Sequence, residues 1–315
     1  MPVIEEIPLT QLLSVIVPVH NESAVLSTFH ARMRSIMEET GHPFEIIYVD
    51  DGSSDDTLAQ LQRLRDDDTA VAVLELSRNF GKEVALSAGL DHGGGEAIIL
   101  IDAYLQDPPE IVHSFLQEWK NGYDVVYGKR IDRRGDSRLK ILSASYFYRV
   151  LNYLSDVEIP DDVGDFRLLS RRAVEALVSF PERHRYMKGL YARIGFPQKA
   201  IPYVRQPRDS GRSKWNYWRL WNFALEGITS FSDVPLKIAT YLGAVTSGFA
   251  LVYALFLLVR TLIWGNPVPG YPSLIIAVLF LGGVQLICLG IIGEYLARTY
   301  QETKGRALYF VKGYH

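Results

Sequence analysis

Through the first half of the chain, short apolar runs rich in β-branched residues alternate with stretches in which apolar residues recur at helical spacing. The runs fall at residues 13–17, 44–49, 72–76, 97–101 and 123–127, and they predict a mostly parallel sheet covered by helices. Polar residues follow nearly every run. Pro18, His20, Asn21 and Glu22 follow the first, and Asp50, Asp51, Gly52 and Ser53 the second. Asn79, Gly81 and Lys82 follow the third, and Asp102 and Gln106 the fourth. In an open α/β sheet such strand ends converge on one crevice, which is where a ligand is expected.

The second half changes character. Residues 238–259 and 273–296 are two almost uninterrupted apolar stretches. Each is roughly 20 residues or more, and at about 1.5 Å per residue a helix of that length crosses a hydrocarbon core of about 30 Å. The competing reading is a pair of buried helices in a large soluble core. The neighbours favour the membrane: Trp215, Tyr217, Trp218, Trp221 and Phe223 precede the first stretch, and Trp264 follows it, as rings do at the headgroup level. The aromatic and aliphatic segment 215–228 predicts an interfacial helix. The Gly- and Pro-rich connection 265–272 is short, so the spans are expected to form an antiparallel hairpin with both outer ends on one side. Arg298, Lys304, Arg306 and Lys312 follow the hairpin, which places both termini and the main domain in the cytoplasm, with Arg260 as a minor dissent. Gly243, Ser247, Gly282, Gly283, Gly290 and Gly293 permit close helix approach and suggest a homo-oligomer, a tetramer being one order it allows.

Charge and cysteine content narrow the classes. The 315 residues carry 33 Lys+Arg against 36 Asp+Glu, a net charge of -3, so no global basic bias points to nucleic acid. The single cysteine, Cys288, lies inside the second span, and one cysteine makes neither an intrachain disulfide nor a cysteine-based metal site. Residues 1–11 contain acidic side chains and no long apolar run, unlike a secretory signal peptide. The expected organisation is a catalytic domain at 1–210, a juxtamembrane amphipathic region at 211–236, a membrane hairpin at 237–297 and a cytoplasmic tail at 298–315.

Neither a GxGxxG turn nor a GxxxxGK[ST] loop is present, so phosphates must be met by other means. A carboxylate at the fourth strand end, Asp102, is suited to a divalent cation that neutralises a diphosphate leaving group, although a lone strand-end Asp is more often a turn or cap residue. Asp50-Asp51-Gly52-Ser53 likewise reads equally as a polar turn opening a helix.

Segments 14–22 (SVIVPVHNE), 49–55 (VDDGSSD), 78–82 (RNFGK) and 101–108 (IDAYLQDP) resemble the successive signatures of family 2 glycosyltransferases with the GT-A fold. With 164–172 (GDFRLLSRR), 208–215 (RDSGRSKW) and 293–298 (GEYLAR), the chain resembles more narrowly the polyisoprenyl-phosphate branch. That branch includes dolichyl-phosphate mannose synthase and undecaprenyl-phosphate glucosyltransferases. The resemblance implies inverting transfer of a hexose, with glucose from UDP-glucose leading and GDP-mannose as another donor, to a polyprenyl phosphate, undecaprenyl phosphate leading. It implies an integral protein of the inner or plasma membrane working at the cytoplasmic face. It assigns donor binding to Pro18, His20, Glu22, Asp50, Asp51, Lys82 and Asp102. Magnesium or manganese is expected at Asp102 and Gln106. Tyr104 departs from the pattern, because the family usually has a second Asp there; a neutral phenol is a poor ligand for a hard cation. This departure keeps a non-catalytic nucleotide-sugar-binding scaffold in view. A processive polysaccharide synthase is disfavoured, since the chain lacks a QxxRW motif and further spans.

For the acceptor phosphate, Arg130, Arg138, Lys140, Arg208, Ser213 and Lys214 are the expected contacts, the last three lying just before the aromatic segment. Asp165 is expected near the acceptor as an orienting group or weak base, with Arg167 fixing it, so Asp165 and Asp102 are the candidate catalytic carboxylates. A strong base is not required, because a phosphate monoester is already largely ionised near neutral pH, its second pKa being about 6.

Overall fold

The computed structural model describes residues 11–131, 163–183, 185–204, 232, 234–265 and 270–315. The expected acceptor-phosphate residues Arg138, Lys140, Arg208, Ser213 and Lys214 and the expected interfacial helix at 215–228 lie outside these residues.

Five strands form where the apolar runs predict them: β1 (Leu13–Val19), β2 (Phe44–Asp50), β3 (Val71–Leu76), β4 (Ala97–Leu100) and β5 (Val125–Arg130). Three more join them, β6 (Val163–Ser170), β7 (Gln198–Tyr203) and β8 (Val311–Tyr314). The sheet order is β7-β5-β6-β4-β1-β2-β3-β8. The neighbours β4-β1-β2-β3 run parallel, as does β5-β7, whereas β6 is antiparallel to both β4 and β5. Strand β1 is buried on both faces, as a central strand between two helical layers must be.

Helices α1 (Leu26–Glu39), α2 (Thr57–Asp67), α3 (Lys82–His92) and α4 (Val112–Lys120) cover the sheet, with α5 (Arg171–Ser179) and α6 (Met187–Arg193) following β6. Helix α1 buries Leu26, Phe29, Met33, Ile36 and Met37, one stripe at helical period, and each such side chain contributes roughly 1.5–3 kcal/mol of burial. Helix α3 lies close on the sheet at Gly89, where a Cβ would come 2.3 Å from the Ile16 side chain.

The chain divides into two compact units. The first holds the sheet and regains the chain at residues 306–315; the second holds α7 (Val234–Trp264) and α8 (Tyr271–Thr303). These helices have 31 and 33 residues, both long and apolar enough to cross a membrane. Their apolar side chains face outward: Phe249, Leu251 and Leu262 are all more than 70% exposed. Within this unit Tyr295 donates to the Ser232 carbonyl at 2.5 Å and Cys288 Sγ lies 3.7 Å from the Ala239 carbonyl, which fixes an antiparallel register. A Cβ at Gly243, Gly282, Gly283, Gly290 or Gly293 would meet nothing within 4 Å, so these glycines do not serve contact between α7 and α8.

One expectation changes. Residues 298–315 do not act as a bare tail, because 311–314 pair antiparallel with β3 as the edge strand of the sheet. The amides left open on β3 by the parallel core find partners there.

Candidate active site

The site grows from four loops at one end of the sheet. After β1, Asn21 adopts a left-handed φ of 56°, and its side-chain carbonyl accepts from the amides of Ser54 (2.7 Å) and Asp55 (3.3 Å) beyond β2. His20 Nδ1 donates to the Asp51 carbonyl at 2.9 Å, which leaves Nε2 to accept from Asn21. The first two loops are thereby interlocked.

Asp50 and Asp51 divide the work of the second loop. Asp50 is 1% exposed and accepts from the Ser53 amide at 3.3 Å; burial raises its carboxyl. Asp51 is also buried, and its two oxygens accept from the amides of Phe80 (2.7 Å) and Gly81 (2.9 Å). Asp51, expected as a sugar-donor contact, holds the loop that delivers Lys82. Gly52 makes this approach feasible, since a Cβ there would lie 2.5 Å from the Arg78 backbone and its φ is +64°.

Lys82 opens α3 and reaches across to two carboxylates. Its Nζ lies 2.7 and 2.8 Å from the oxygens of Asp102 and 2.6 Å from Asp165 Oδ2. Strand pairing explains the meeting. Strands β4 and β6 are antiparallel with Leu100 opposite Arg167, so continuing that register two residues further brings Asp102 opposite Asp165. The carboxylate side chains are 16% and 11% exposed, against 39% for Lys82, so the cluster opens to solvent through the lysine.

Burial opposes charge here, but one cation serves two anions. Lys82 is held well above its ordinary range, the pull of Asp102 and Asp165 outweighing its burial. Asp165 is held well below the usual carboxylate range, because Lys82 and Lys188 overcome the burial that would raise it. Asp102 goes the other way, raised by burial and by the neighbouring Asp165 against the lowering by Lys82. Asp165 is therefore the firmly anionic member.

Arg167 does not fix Asp165 by an ion pair, as the sequence suggests. Its guanidinium donates to the Gly164 carbonyl at 2.8 Å and stacks 3.4 Å from the Tyr191 ring centroid, so the partner of Asp165 is Lys82.

The fourth loop carries the departure at Tyr104. Leu105 beside it has a left-handed φ of 54°, uncommon outside glycine and concentrated at functional loops. The Tyr104 hydroxyl hydrogen-bonds to Glu22, and burial together with Glu22 and Asp102 pushes the phenol up, keeping it neutral. As a cation site the set is therefore thin. Asp102 has both oxygens on an ammonium, Tyr104 is engaged by Glu22, and Gln106 adds only an amide. Among the described residues no cluster of three His, Cys, Asp or Glu forms a metal site.

Arg130 is half-buried at the end of β5, its Nε donating to the Tyr203 hydroxyl at 3.3 Å while that hydroxyl donates to Asp107. Pro18 is half-buried in β1 and Gln106 half-buried in the fourth loop. The structure also adds residues that the sequence did not single out. Glu83 accepts from the Met187 amide at 3.1 Å, and Tyr203 links Arg130 to Asp107. Asp107 sits inside the 101–108 motif and was visible there; nothing in the sequence flags Tyr203.

Comparison with known proteins finds relatives along nearly the whole chain. The glycosyl transferase family 2 profile matches residues 14–178, and the GtrB C-terminal hairpin profile matches residues 234–299. An uncharacterized glycosyltransferase of Synechocystis sp. is 50% identical over 299 residues, 95% of this chain and 94% of that one. A prophage-derived bactoprenol glucosyl transferase of Shigella flexneri is 45% identical over 303 residues, 96% of this chain and 98% of that one. A prophage bactoprenol glucosyl transferase homolog of Escherichia coli K12 is 46% identical over 300 residues, 95% and 98% of the two chains. The profile takes in the loops that carry Lys82 and Asp102 as well as Asp165 on β6, and by this measure the chain belongs to glycosyl transferase family 2 and is a glycosyltransferase.

Proposed function

We propose that this enzyme transfers glucose from UDP-glucose to undecaprenyl phosphate at the cytoplasmic face of the membrane, with inversion at the anomeric carbon. The observation that carries the reading is the cluster of Lys82, Asp102 and Asp165 at the strand ends, in a chain that matches bactoprenol glucosyl transferases along nearly all its length. The reaction needs an activated sugar held, a diphosphate neutralised as it leaves, and an acceptor phosphate aimed from the opposite side.

The acceptor is its own nucleophile. A phosphate oxygen attacks C1, the C1–oxygen bond to the diphosphate breaks, and UDP leaves with the electron pair. No proton has to move, which suits a site whose firmly anionic Asp165 is occupied by Lys82. Asp165 then orients rather than deprotonates. Arg130, positioned by Tyr203, supplies a guanidinium for the acceptor phosphate, joined in this reading by Arg138, Lys140, Arg208, Ser213 and Lys214. His20, Glu22 and Asp50 lie on the loops that face the nucleotide and ribose. A divalent cation, if it joins, has Asp102 and Gln106 as its protein ligands.

The sheet unit holds residues 157–220 before the helical unit and residues 306–315 after it, which supports a two-span hairpin whose ends return to one side of the membrane. The glycine faces left open on α7 and α8 support self-association of the spans.

The test is transfer of radiolabel from UDP-glucose into the organic phase by the full chain in detergent with undecaprenyl phosphate, beside a panel of UDP- and GDP-sugars. Lipid-linked glucose is expected. Nucleotide-sugar binding with no lipid product, in both the natural chain and Tyr104→Asp, would establish the scaffold reading instead.

A further inference from the structure

Lys82 stands where a metal would have to work. Its ammonium lies within 2.8 Å of both oxygens of Asp102 and 2.6 Å from Asp165. A Mg2+ or Mn2+ ion bound to Asp102 at the usual distance of about 2.1 Å would sit within roughly 5 Å of that ammonium, where repulsion is strong in a sheltered site. The residue that would tip the balance toward metal is missing. Tyr104 replaces the second carboxylate, and its neutral phenol is spent on Glu22.

We propose that in this chain Lys82 is the cation that meets the departing diphosphate, and that a divalent ion competes with it for Asp102 instead of binding there tightly. The proposal rests on the transferase reading above. Lys82 has the geometry this role requires, since its ammonium bridges the two carboxylates while its side chain stays 39% exposed, open to exchange one carboxylate contact for a phosphate oxygen. Lys188 and Arg167 add positive charge on the Asp165 side, so Asp165 keeps cationic company when an incoming diphosphate draws the ammonium outward from Asp102.

The experiment measures Mn2+ binding by electron paramagnetic resonance, using the full chain in detergent, for the natural protein, Tyr104→Asp and Lys82→Met. Lipid product is followed in parallel in excess chelator and in Mn2+. The expected result is Mn2+ affinity about tenfold or more higher in Tyr104→Asp and in Lys82→Met than in the natural chain. Transfer by the natural chain should persist in chelator, and Lys82→Met should lose it. Tyr104→Asp leaves the lysine in place, so the comparison survives if Lys82→Met fails to fold. Equal Mn2+ affinity in the natural chain and Tyr104→Asp overturns the proposal, as does complete loss of natural transfer in chelator. If no variant makes lipid product under any condition, the transferase reading fails, while the Mn2+ titrations still decide whether Lys82 and Tyr104 exclude the ion.

Discussion

Asp165 Oδ2 lies 2.6 Å from Lys82 Nζ, the side chains arriving from β6 and from the first turn of α3. The contact ties the acceptor side of the proposed reaction to the loop that meets the sugar donor. Replacing Asp165 by Asn keeps the shape and removes the charge. Turnover of lipid acceptor should fall about 10²-fold or more, with a much smaller change in the UDP-glucose KM. Steady-state kinetics with each substrate varied separately will check this; an unchanged turnover would remove Asp165 from the reaction.

Gly52 sets how closely the second loop approaches the third. A Cβ there would strike the Arg78 backbone at 2.5 Å, and φ +64° is a conformation that L side chains rarely adopt. Gly52→Ala should cost about 1–3 kcal/mol of stability and displace the amides of Phe80 and Gly81 from Asp51. Donor affinity should drop as Lys82 moves. Chemical denaturation and nucleotide-sugar titration on the same preparation give both numbers.

Glu83 carries a pH signature. Burial first, and the nearby Asp165 second, push its carboxyl up to about 7 against the opposing pull of Lys82. Between its unfolded value of about 4.3 and 7, the folded chain holds a proton that the unfolded chain has released, so this group's contribution to stability declines as pH rises through that window. Glu83→Gln keeps an acceptor for the Met187 amide and cannot ionise. The difference in melting behaviour between the two proteins should therefore grow in favour of Gln from pH 5 to 7, reaching on the order of 2–3 kcal/mol, and then level off. A flat difference would show that Glu83 titrates normally.

The returning strand β8 brings contacts to the lysine loop. The Ser77 amide donates to the Phe310 carbonyl at 2.9 Å, the Phe310 and Phe80 rings lie 6.4 Å apart, and Tyr309 donates to Asp91 at 2.7 Å near the far end of α3. Phe310→Ala should weaken donor binding about threefold to tenfold, a loss of roughly 1 kcal/mol of ring packing, while Phe310→Leu restores most of it. Donor KM measured against kcat distinguishes this from a general loss of folded protein.

Much of the site was legible because its residues sit in short motifs at predicted strand ends. Asp102 and Lys82 could be placed near one another from the alternation alone, since parallel strands deliver their following loops to one edge. The roles of Asp51 and Arg167 were not legible. Asp51 looks like any carboxylate in a polar turn until the amides of Phe80 and Gly81 are seen on it. Arg167 looks like a partner for Asp165 until the Tyr191 ring and the Gly164 carbonyl claim it.

The sequence by itself determined the five apolar strands, the two long apolar helices and the chemistry available at each loop, because these follow from local periodicity and residue type. Tertiary structure alone decided that β6 enters antiparallel beside β4, that the chain returns through β8, and that one ammonium is shared by two carboxylates. The reason is pairing register: it joins residues distant along the chain through backbone hydrogen bonds, which every residue but proline can donate, so side-chain patterns do not announce the partner.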